Sequence, residues 1–468
     1  TGTPLTDSDT VAITVNAVVD APVNTVSGAQ TVDEDTALTI SEFQANSYTT
    51  GSQYNPSVAS LSDGGFVVTW ESYGQDGSMG GVFGQKYTAN GVAVGDEFQI
   101  NTETVQSQSS PSVAGTSDGG FVVTWGSWGQ DESQSGIFGQ RYDAAGIAVG
   151  DEFQVNSTGA GSQTYASVAA DTAASSLSDG GFVVTWTSRQ SGDNDIYGQK
   201  FDAEGTAVGE EFRANTYTQE QQGTYQEKQV ASLGDGGFVV VWNSYNQNGN
   251  ATRDLFGQRY DADGTAVGDE FQVNTTSSAY QAMGKEHPSV AGTSDGGFVV
   301  TWTSDEDDIY GQRYDTDGTA VDDEFLVNTI TDQGQRESSV TGLSDGGFVV
   351  TWTGPDANGV HEGDGQQFLD RGIFAQRYDA DGTTVGGEFQ IDPPAGGQQT
   401  SPSVTALDNG GFVAVWRSGP TEDWNTFEQF TNPQDGDGSG IFGQIFDADT
   451  GLSVNDGDGN LATSQLSV

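Results

Sequence analysis

Along this chain, polar residues and glycine gather into short turns, and the apolar runs between them are too short and too evenly spaced for helices. The clearest unit is Ser62-Asp63-Gly64-Gly65-Phe66-Val67-Val68-Thr69-Trp70, a polar turn that leads into an apolar strand ending on tryptophan. Later copies carry the turn aspartate at Asp118, Asp179, Asp235, Asp295 and Asp345, and a seventh drifts to Asn409 behind Asp408. Their strands end on Trp125, Trp186, Trp242, Trp302, Trp352 and Trp416, so one motif absorbs seven of the nine tryptophans. The copies lie 50 to 64 residues apart, near the period at which self-similarity signals a solenoid or a propeller.

Each repeat predicts four short strands. In the second they are Pro111 to Ala114, Phe121 to Trp125, Ile137 to Tyr142 and Glu152 to Asn156, with turns at Asp118-Gly119-Gly120 and Asp143 to Gly146. Glycine accepts positive φ in such hairpins, and aspartate bonds back to nearby amides. Four strands joined as a meander make one twisted blade, and blades set round an axis bury both faces of each sheet. The reading is all-β: a seven-bladed β-propeller of four-stranded blades. One offset supports a ring over an open array. The strand Glu42-Phe43-Gln44-Ala45-Asn46 matches Glu97 to Asn101 but precedes the first full repeat, while the seventh repeat has none after Ile441 to Phe446. The early copy is expected to complete the last blade, leaving no open edge.

Composition narrows the partners. With 67 acidic against 14 basic side chains and a net charge of −53, a long-range partner should be cationic or a metal ion. Nucleic acid is excluded for want of Lys and Arg to neutralise phosphate. Acidity of this kind equally suits a solvated surface in salty or calcium-rich surroundings. There is no cysteine, so rigidity outside the cell would need another source, such as bound calcium. No apolar run approaches a membrane span, and no insertion into a membrane is expected. Thr1 to Asp7 lacks a charged start and an apolar core, which predicts a monomeric module within a longer chain.

The ends differ from the repeats. Residues 10 to 20 alternate like a half-buried strand, Asp20-Ala21-Pro22 breaks it, and Val32 to Ile40 opens a second strand behind Asp33, Glu34 and Asp35. The tail runs from Gly451 through Asn455, Asp456, Gly457 and Asp458 to Val468. These pieces resemble the junctions between cadherin-like, immunoglobulin-type repeats in giant bacterial adhesins and secreted proteins of the RTX type. The resemblance implies residues 1–20 as the end of one sandwich repeat and 21–40 as the first strand of a split one. The propeller at 41–447 would be inserted there, and 448–468 would resume the sandwich. It further implies an extracellular or cell-surface bacterial location and a role in cell adhesion. Calcium takes six to eight oxygen ligands, and Asp20, Asp33, Glu34, Asp35, Asn455, Asp456 and Asp458 are the residues expected to supply them. The Asp261-Ala262-Asp263-Gly264 turns lack the later glutamate of an EF-hand loop, and turn formation explains them.

In a meander of this kind the first-to-second and third-to-fourth connections are short, and the variable connections share the opposite face. These include Glu71 to Gly81, Asn243 to Asp254, Gly354 to Gly372 and Arg417 to Gly440. Variable loops on a rigid scaffold are where function usually sits. Tyr73, Trp128, Tyr245 and Trp424 are the candidate ligand-binding residues, with Phe368, Phe427 and Phe430 nearby. Such rings could stack on sugars beside Asn, Gln and Asp, or could simply pack the loops. The recurring Gln85, Gln140, Gln199, Gln258, Gln312, Gln376 and Gln444 are expected to satisfy backbone between blades. Lys86, Arg141, Lys200, Arg259, Arg313 and Arg377 are expected to pair with Glu42, Glu97, Glu152, Glu211, Glu270, Glu324 and Glu388 across strands. Ile445 breaks that series, which predicts Glu42 without a basic partner.

A catalytic set is not apparent. Ser62-Asp63-Gly64-Gly65 with Trp70 loosely resembles the Asp-box turns of sialidase propellers, though the spacing departs from theirs. Sialidases also need an arginine cluster and a tyrosine–carboxylate nucleophile pair, and many arginines here recur as scaffold. His287 and His361 have no nucleophile signature beside them and are expected at the surface. The sequence therefore favours a non-enzymatic module that binds carbohydrate or another cell-surface ligand. A glycoside hydrolase is the alternative, and a structural spacer or protein-docking platform is the third reading.

Overall fold

A computed structural model describes residues 42–131, 134–157, 161–170, 180–223, 230–249, 251–275, 286–331, 333–363, 366–392, 397–420 and 438–447, with side chains at 286 and 356–370 set aside. The chain divides into two compact units, Thr1–Thr39 and Ile40–Val468, and every described residue belongs to the second. The segments expected to form flanking sandwich repeats and all seven expected calcium ligands lie outside the described residues.

The second unit is a seven-bladed β-propeller. Blade 1 is the meander Gln53–Ser60, Phe66–Tyr73, Gly80–Tyr87 and Ala93–Gln99, and blade 2 is Gln108–Gly115, Phe121–Trp128, Ser135–Tyr142 and Ala148–Gln154. Blades 3, 4, 5 and 6 repeat this order, beginning at Gln163, Val230, Glu286 and Arg336. Blade 7 has only three strands of its own, Gln398–Ala406, Phe412–Gly419 and Gly440–Phe446. Its fourth is Phe43–Gln44, antiparallel to Gly440–Phe446 with Phe43 opposite Gly443. Each inner strand packs against the inner strand of the next blade, and that of blade 7 packs against that of blade 1, which closes the ring.

The repeated motif explains itself once the blades are stacked. The Phe-Val-Val-Thr-Trp strand lies second in its blade, covered on both faces, so it reads as an unbroken apolar run. Phe66, Val68 and Trp70 share a core with Val413, Val415, Ile441 and Ile445 of blade 7. Val67, between them in sequence, turns the other way, into the core with Phe121, Val123 and Trp125 of blade 2. All seven motif tryptophans are fully buried in these interblade cores. The two glycines of the turn do different work: Gly64 takes φ +81°, whereas a Cβ on Gly65 would stand 2.3 Å from the Tyr87 carbonyl oxygen.

Polar latches join the blades where the sequence suggested pairing within them. Glu97 Oε2 accepts hydrogen bonds from Ser47 N and Ser47 Oγ at 2.6 and 2.9 Å, at the end of the closing strand. Glu152, Glu211, Glu270 and Glu388 hold Thr102, Ser157, Thr216 and Thr329 in the same way. The bases of the third strand instead meet the turn aspartates, as in Lys86–Asp63 at 2.9 Å, Arg259–Asp235 at 3.1 Å and Arg377–Asp345 at 2.6 Å. They also reach the next blade, where Arg313 Nη2 donates to the Ala380 carbonyl at 2.7 Å. The expected base–glutamate pairs are thus replaced, because the outer-strand glutamates are spent on the preceding crossing. The glutamine series serves its own blade and not the junction. Gln85 Nε2 donates to the carbonyls of Lys86, Val94 and Gly95, which the irregularity between Gly84 and Lys86 frees from the ladder.

Candidate functional site

Inner strands start on the variable-loop face, and in six of the blades the described strand begins with a break in register. In blade 1 the pairing skips between Tyr54 and Ser57, and the same skip recurs at Ser109/Ser112, Thr164/Ser167, Glu286/Ser289, Arg336/Ser339 and Thr400/Ser403. The residue inside each bulge has a left-handed backbone: Asn55, Ser110, Tyr165, His287, Glu337 and Ser401, with φ between 52° and 58°. Proline follows four of them, at Pro56, Pro111, Pro288 and Pro402. Proline lacks an N–H, so it leaves no donor unpaired at a bulge on this inner edge.

These six residues line an axial cavity of about 390 Å³, together with Ala166 after Tyr165 and the two residues that follow each of the other five. Deeper in, inner-strand serines tie neighbouring blades. Ser57 Oγ accepts from Val113 N at 3.2 Å, Ser112 Oγ from Val168 N at 3.2 Å, Ser339 Oγ from Val404 N at 3.3 Å and Ser403 Oγ from Val58 N at 3.3 Å. The wall is therefore fixed by constant residues, while the left-handed positions at the mouth vary in size, polarity and charge.

Side chains from neighbouring strands complete the rim. Glu71 lies opposite Tyr54 in the sheet, and its Oε2 accepts from Asn55 Nδ2 at 3.1 Å. Burial pushes the Glu71 carboxyl above its usual range, although the bonds from Asn55 and the Ser110 backbone pull the other way. Glu337 Oε2 accepts from Thr353 Oγ1 at 3.1 Å and Ser401 N at 2.8 Å, tying blades 6 and 7. The Arg417 guanidinium stands 4.5 Å from the centre of the Tyr54 ring, across the seam between blades 7 and 1. Arg336 Nη2 contacts Asp307 Oδ2 at 2.9 Å.

Tyr73, Trp128 and Tyr245 occupy equivalent places at the variable-loop ends of the second strands in blades 1, 2 and 4. Their amides bond the crossings before their blades, to Ser52 O, Ser107 O and Gln221 O, each at 3.0 Å. Tyr73 and Trp128 are 54% and 50% exposed, and among the described residues no ring contact brings the three together. Trp424, Phe427 and Phe430 lie outside the described residues. The Gly354 to Gly372 loop continues the second and third strands of blade 6 as a long hairpin, Phe348–Gly363 with Gln366–Tyr378, which pairs His361 with Phe368. His287, expected at the surface, is half-buried and lines the cavity.

The ring of mouth residues escaped the sequence reading. Its signal was the variable residue three places before each inner-strand valine, ahead of Pro-Ser-Val in four repeats. Among the described residues no three His, Asp or Glu side chains are grouped closely enough to hold a metal ion. No helix of the described residues is long and apolar enough to cross a membrane.

No family model matches the sequence, and no curated protein matches it. Several solved structures are similar in fold. A protein of unknown function from Dyadobacter fermentans is 12% identical, with 86% of this chain and 97% of that one covered and a TM-score of 0.48. The α-L-arabinofuranosidase of Fusarium graminearum in complex with arabinobiose is 12% identical over 72% of this chain and 98% of that one, at 0.46. The β-propeller domain of the Trilobed protease from Pyrococcus furiosus is 9% identical over 87% and 95%, at 0.43. The chain is similar to β-propeller proteins, and its own strand pairing and ring closure define it as a propeller.

Proposed function

We propose that this propeller is a non-enzymatic recognition module that binds carbohydrate at the axial mouth of its variable-loop face. One observation carries the reading: six blades hold a non-glycine residue in the left-handed region at the same mouth position. A non-glycine residue there costs of order 1 kcal/mol or more, a penalty that glycine escapes. The chain uses glycine at its turns, yet at the mouth it keeps Asn, Ser, Tyr, His, Glu and Ser. The retained side chains offer donors, acceptors and one aromatic ring around a cavity of about 390 Å³, the mixture that sugar hydroxyls and ring faces require. The exposed Tyr73 and Trp128 on the same face supply outer platforms for a longer glycan.

A glycan array with calcium present tests this. Binding that is lost in Tyr165→Gly and His287→Gly, variants that relieve backbone strain while removing the side chains, is the expected result. Binding that survives both but fails in Tyr73→Ala and Trp128→Ala would move the site to the outer platforms.

Glycoside hydrolysis is the second reading, favoured by Glu71, whose acidity is lowered by burial beside Tyr54 in the sheet. The bonds Glu71 accepts from Asn55 and the Ser110 backbone equally give it a structural task. Turnover of a reporter glycoside that disappears in Glu71→Gln, with no binding on the array, would establish the enzyme and overturn the lectin.

The reading extends to display on a secreted or surface protein whose flanks are stiffened by calcium through Asp20, Asp33, Glu34, Asp35, Asn455, Asp456 and Asp458. Chelation should lower the melting temperature of a protein containing both flanks, and an unmoved melt would remove calcium from the proposal.

A further inference from the structure

Below the left-handed residues, the axial cavity is built in two levels, and each carries one kind of chemistry. The first is hydrocarbon. Pro56, Pro111, Pro288 and Pro402 stand there in four blades and Ala166 in a fifth, all of them buried and all lining the cavity. Proline brings apolar ring atoms and no N–H.

The second level is hydroxyl. Ser57, Ser112, Ser289, Ser339 and Ser403 line the cavity. Their Oγ atoms accept from the neighbouring inner strand, from Val113 N, Val168 N, Val340 N, Val404 N and Val58 N in that order, at 3.1 to 3.3 Å. A serine hydroxyl has one proton and two lone pairs, so the amide takes a lone pair and the proton is left unspent. Among the described residues, none of the five hydroxyls donates a hydrogen bond. Ser57, Ser112 and Ser403 remain part-exposed, within reach of a group that enters the cavity.

Charge narrows what can use these donors. The described lining holds the Glu337 carboxylate and neither Lys nor Arg. An anionic group would therefore meet like charge without compensation, in a chain of net charge −53. A sugar hydroxyl would accept a serine proton but bring one of its own to be bonded. A neutral carbonyl only accepts. An acetamido group joins such a carbonyl to a methyl, and burial of a methyl against the collar is favourable in its own right.

We propose that the axial cavity selects sugars bearing an N-acetyl group, the carbonyl accepting from the serine ring and the methyl lying against the proline collar. This rests on the carbohydrate reading above and adds the substituent that the site selects. Tyr165 at the mouth gives the pyranose a ring face.

The test is titration calorimetry of the whole chain with three β-1,4-linked tetrasaccharides that differ at one carbon of each residue: N-acetylchitotetraose, cellotetraose and the cationic glucosamine tetramer. The N-acetylated probe should bind about 10- to 50-fold more tightly than cellotetraose, the worth of one hydrogen bond and one buried methyl. Saturation transferred from the protein should reach its methyl protons more strongly than its ring protons. On the glycan array the bound glycans should carry an acetamido group. Of Ser57→Ala, Ser112→Ala and Ser403→Ala, at least one should cut the preference about 5-fold and leave cellotetraose unchanged, and a preference untouched in all three would overturn the serine ring as its source. Cellotetraose or the cationic tetramer binding as tightly as the N-acetylated probe, or array hits without an acetamido group, would overturn the selection and leave the carbohydrate reading standing, whether or not the variants fold. No binding of any of the three, nor of any glycan on the array, would overturn the carbohydrate reading itself.

Discussion

Phe43 holds the seam of the ring, and removing its ring should open that seam alone. The side chain packs on Tyr87 and Phe66 of blade 1, with ring centres 5.1 and 6.0 Å away. Phe66 and Tyr87 are themselves stacked at 5.0 Å. Full burial of a phenylalanine is worth about 1.5 to 3 kcal/mol, and each aromatic pair adds about 0.5 to 1.5 kcal/mol. Phe43 is half-buried, so Phe43→Ala should cost about 3 kcal/mol. The closing strand is short. Besides its two-residue ladder it is held by Ala45 N donating to Ile441 O at 2.7 Å and by Ile441 N donating to Asn46 Oδ1 at 2.7 Å.

Amide hydrogen exchange reads this directly, because local opening sets the exchange rate of seam amides. A cost of about 3 kcal/mol corresponds to roughly 100-fold faster exchange. Ala45 and Ile441 should lose that much protection in Phe43→Ala, while Val240 in blade 4 keeps its own. Phe98→Ala is the control. Phe98 makes the same contacts, with Tyr142 at 5.4 Å and Phe121 at 6.4 Å, but from a seven-residue strand, Ala93–Gln99, joined to its blade by a hairpin. It should destabilise by a similar amount without exposing Ala45 or Ile441. Seam amides that stay protected in Phe43→Ala would refute closure by this strand.

Other outcomes follow from the same contacts. Asn101→Ala removes the acceptor of Val82 N at 2.7 Å and the donor to Glu103 O and Gln108 Oε1 at 2.7 and 3.2 Å; leaving these buried groups unpaired should cost about 2 to 4 kcal/mol in a urea melt. Asp63, Asp118 and Asp345 are pushed up by partial burial, but their bonds to turn groups and their basic partners outweigh it and hold them below the usual 3.8. A carboxyl lowered by folding stabilises above its unfolded value, so this contribution should fade as pH falls below about 4, and Lys86→Met should weaken the acid dependence. Glu71 has the opposite sign, being raised by burial, so its ionisation works against folding as pH rises through its folded value. The melting temperature of Glu71→Gln, measured against the parent across pH 3 to 8, should gain as pH rises, and a constant difference would exclude that account.

The framework was legible because it repeats. Seven copies of one apolar strand, each behind two glycines, leave little freedom beyond blades round an axis, and the missing outer strand of the seventh repeat pointed to Phe43. The base–glutamate pairing was misread because the sequence shows which residues recur but not which neighbour they face. Glu97 and Lys86 share a hairpin, yet Glu97 answers to Ser47 of the preceding crossing and Lys86 to Asp63 at the turn. The mouth was hidden for a different reason. Its residues are unlike one another, so they read as noise inside a repeat, and only the register break between Tyr54 and Ser57 and its counterparts show that they share a position.

Glycine usage separates strain kept for the frame from strain kept for the ligand. At the outer bulge, where Gln85 and its equivalents catch freed carbonyls, the left-handed residue is Gly95, Gly150, Gly209, Gly268 and Gly386, with Asp322 the exception in blade 5. That bulge serves the frame, and five of its six described positions carry the residue that suffers no Cβ penalty. The mouth bulge is as regular, yet none of its six described positions is glycine. Tyr165→Gly should therefore hold or raise the melting temperature while Tyr165→Val lowers it by several degrees, since a β-branched residue is least tolerant of φ near 58°. Loss of stability in Tyr165→Gly comparable to that in Tyr165→Val would mean that the ring packs as structure. Retained stability with lost glycan binding would mean that Tyr165 is strained on behalf of what enters the mouth.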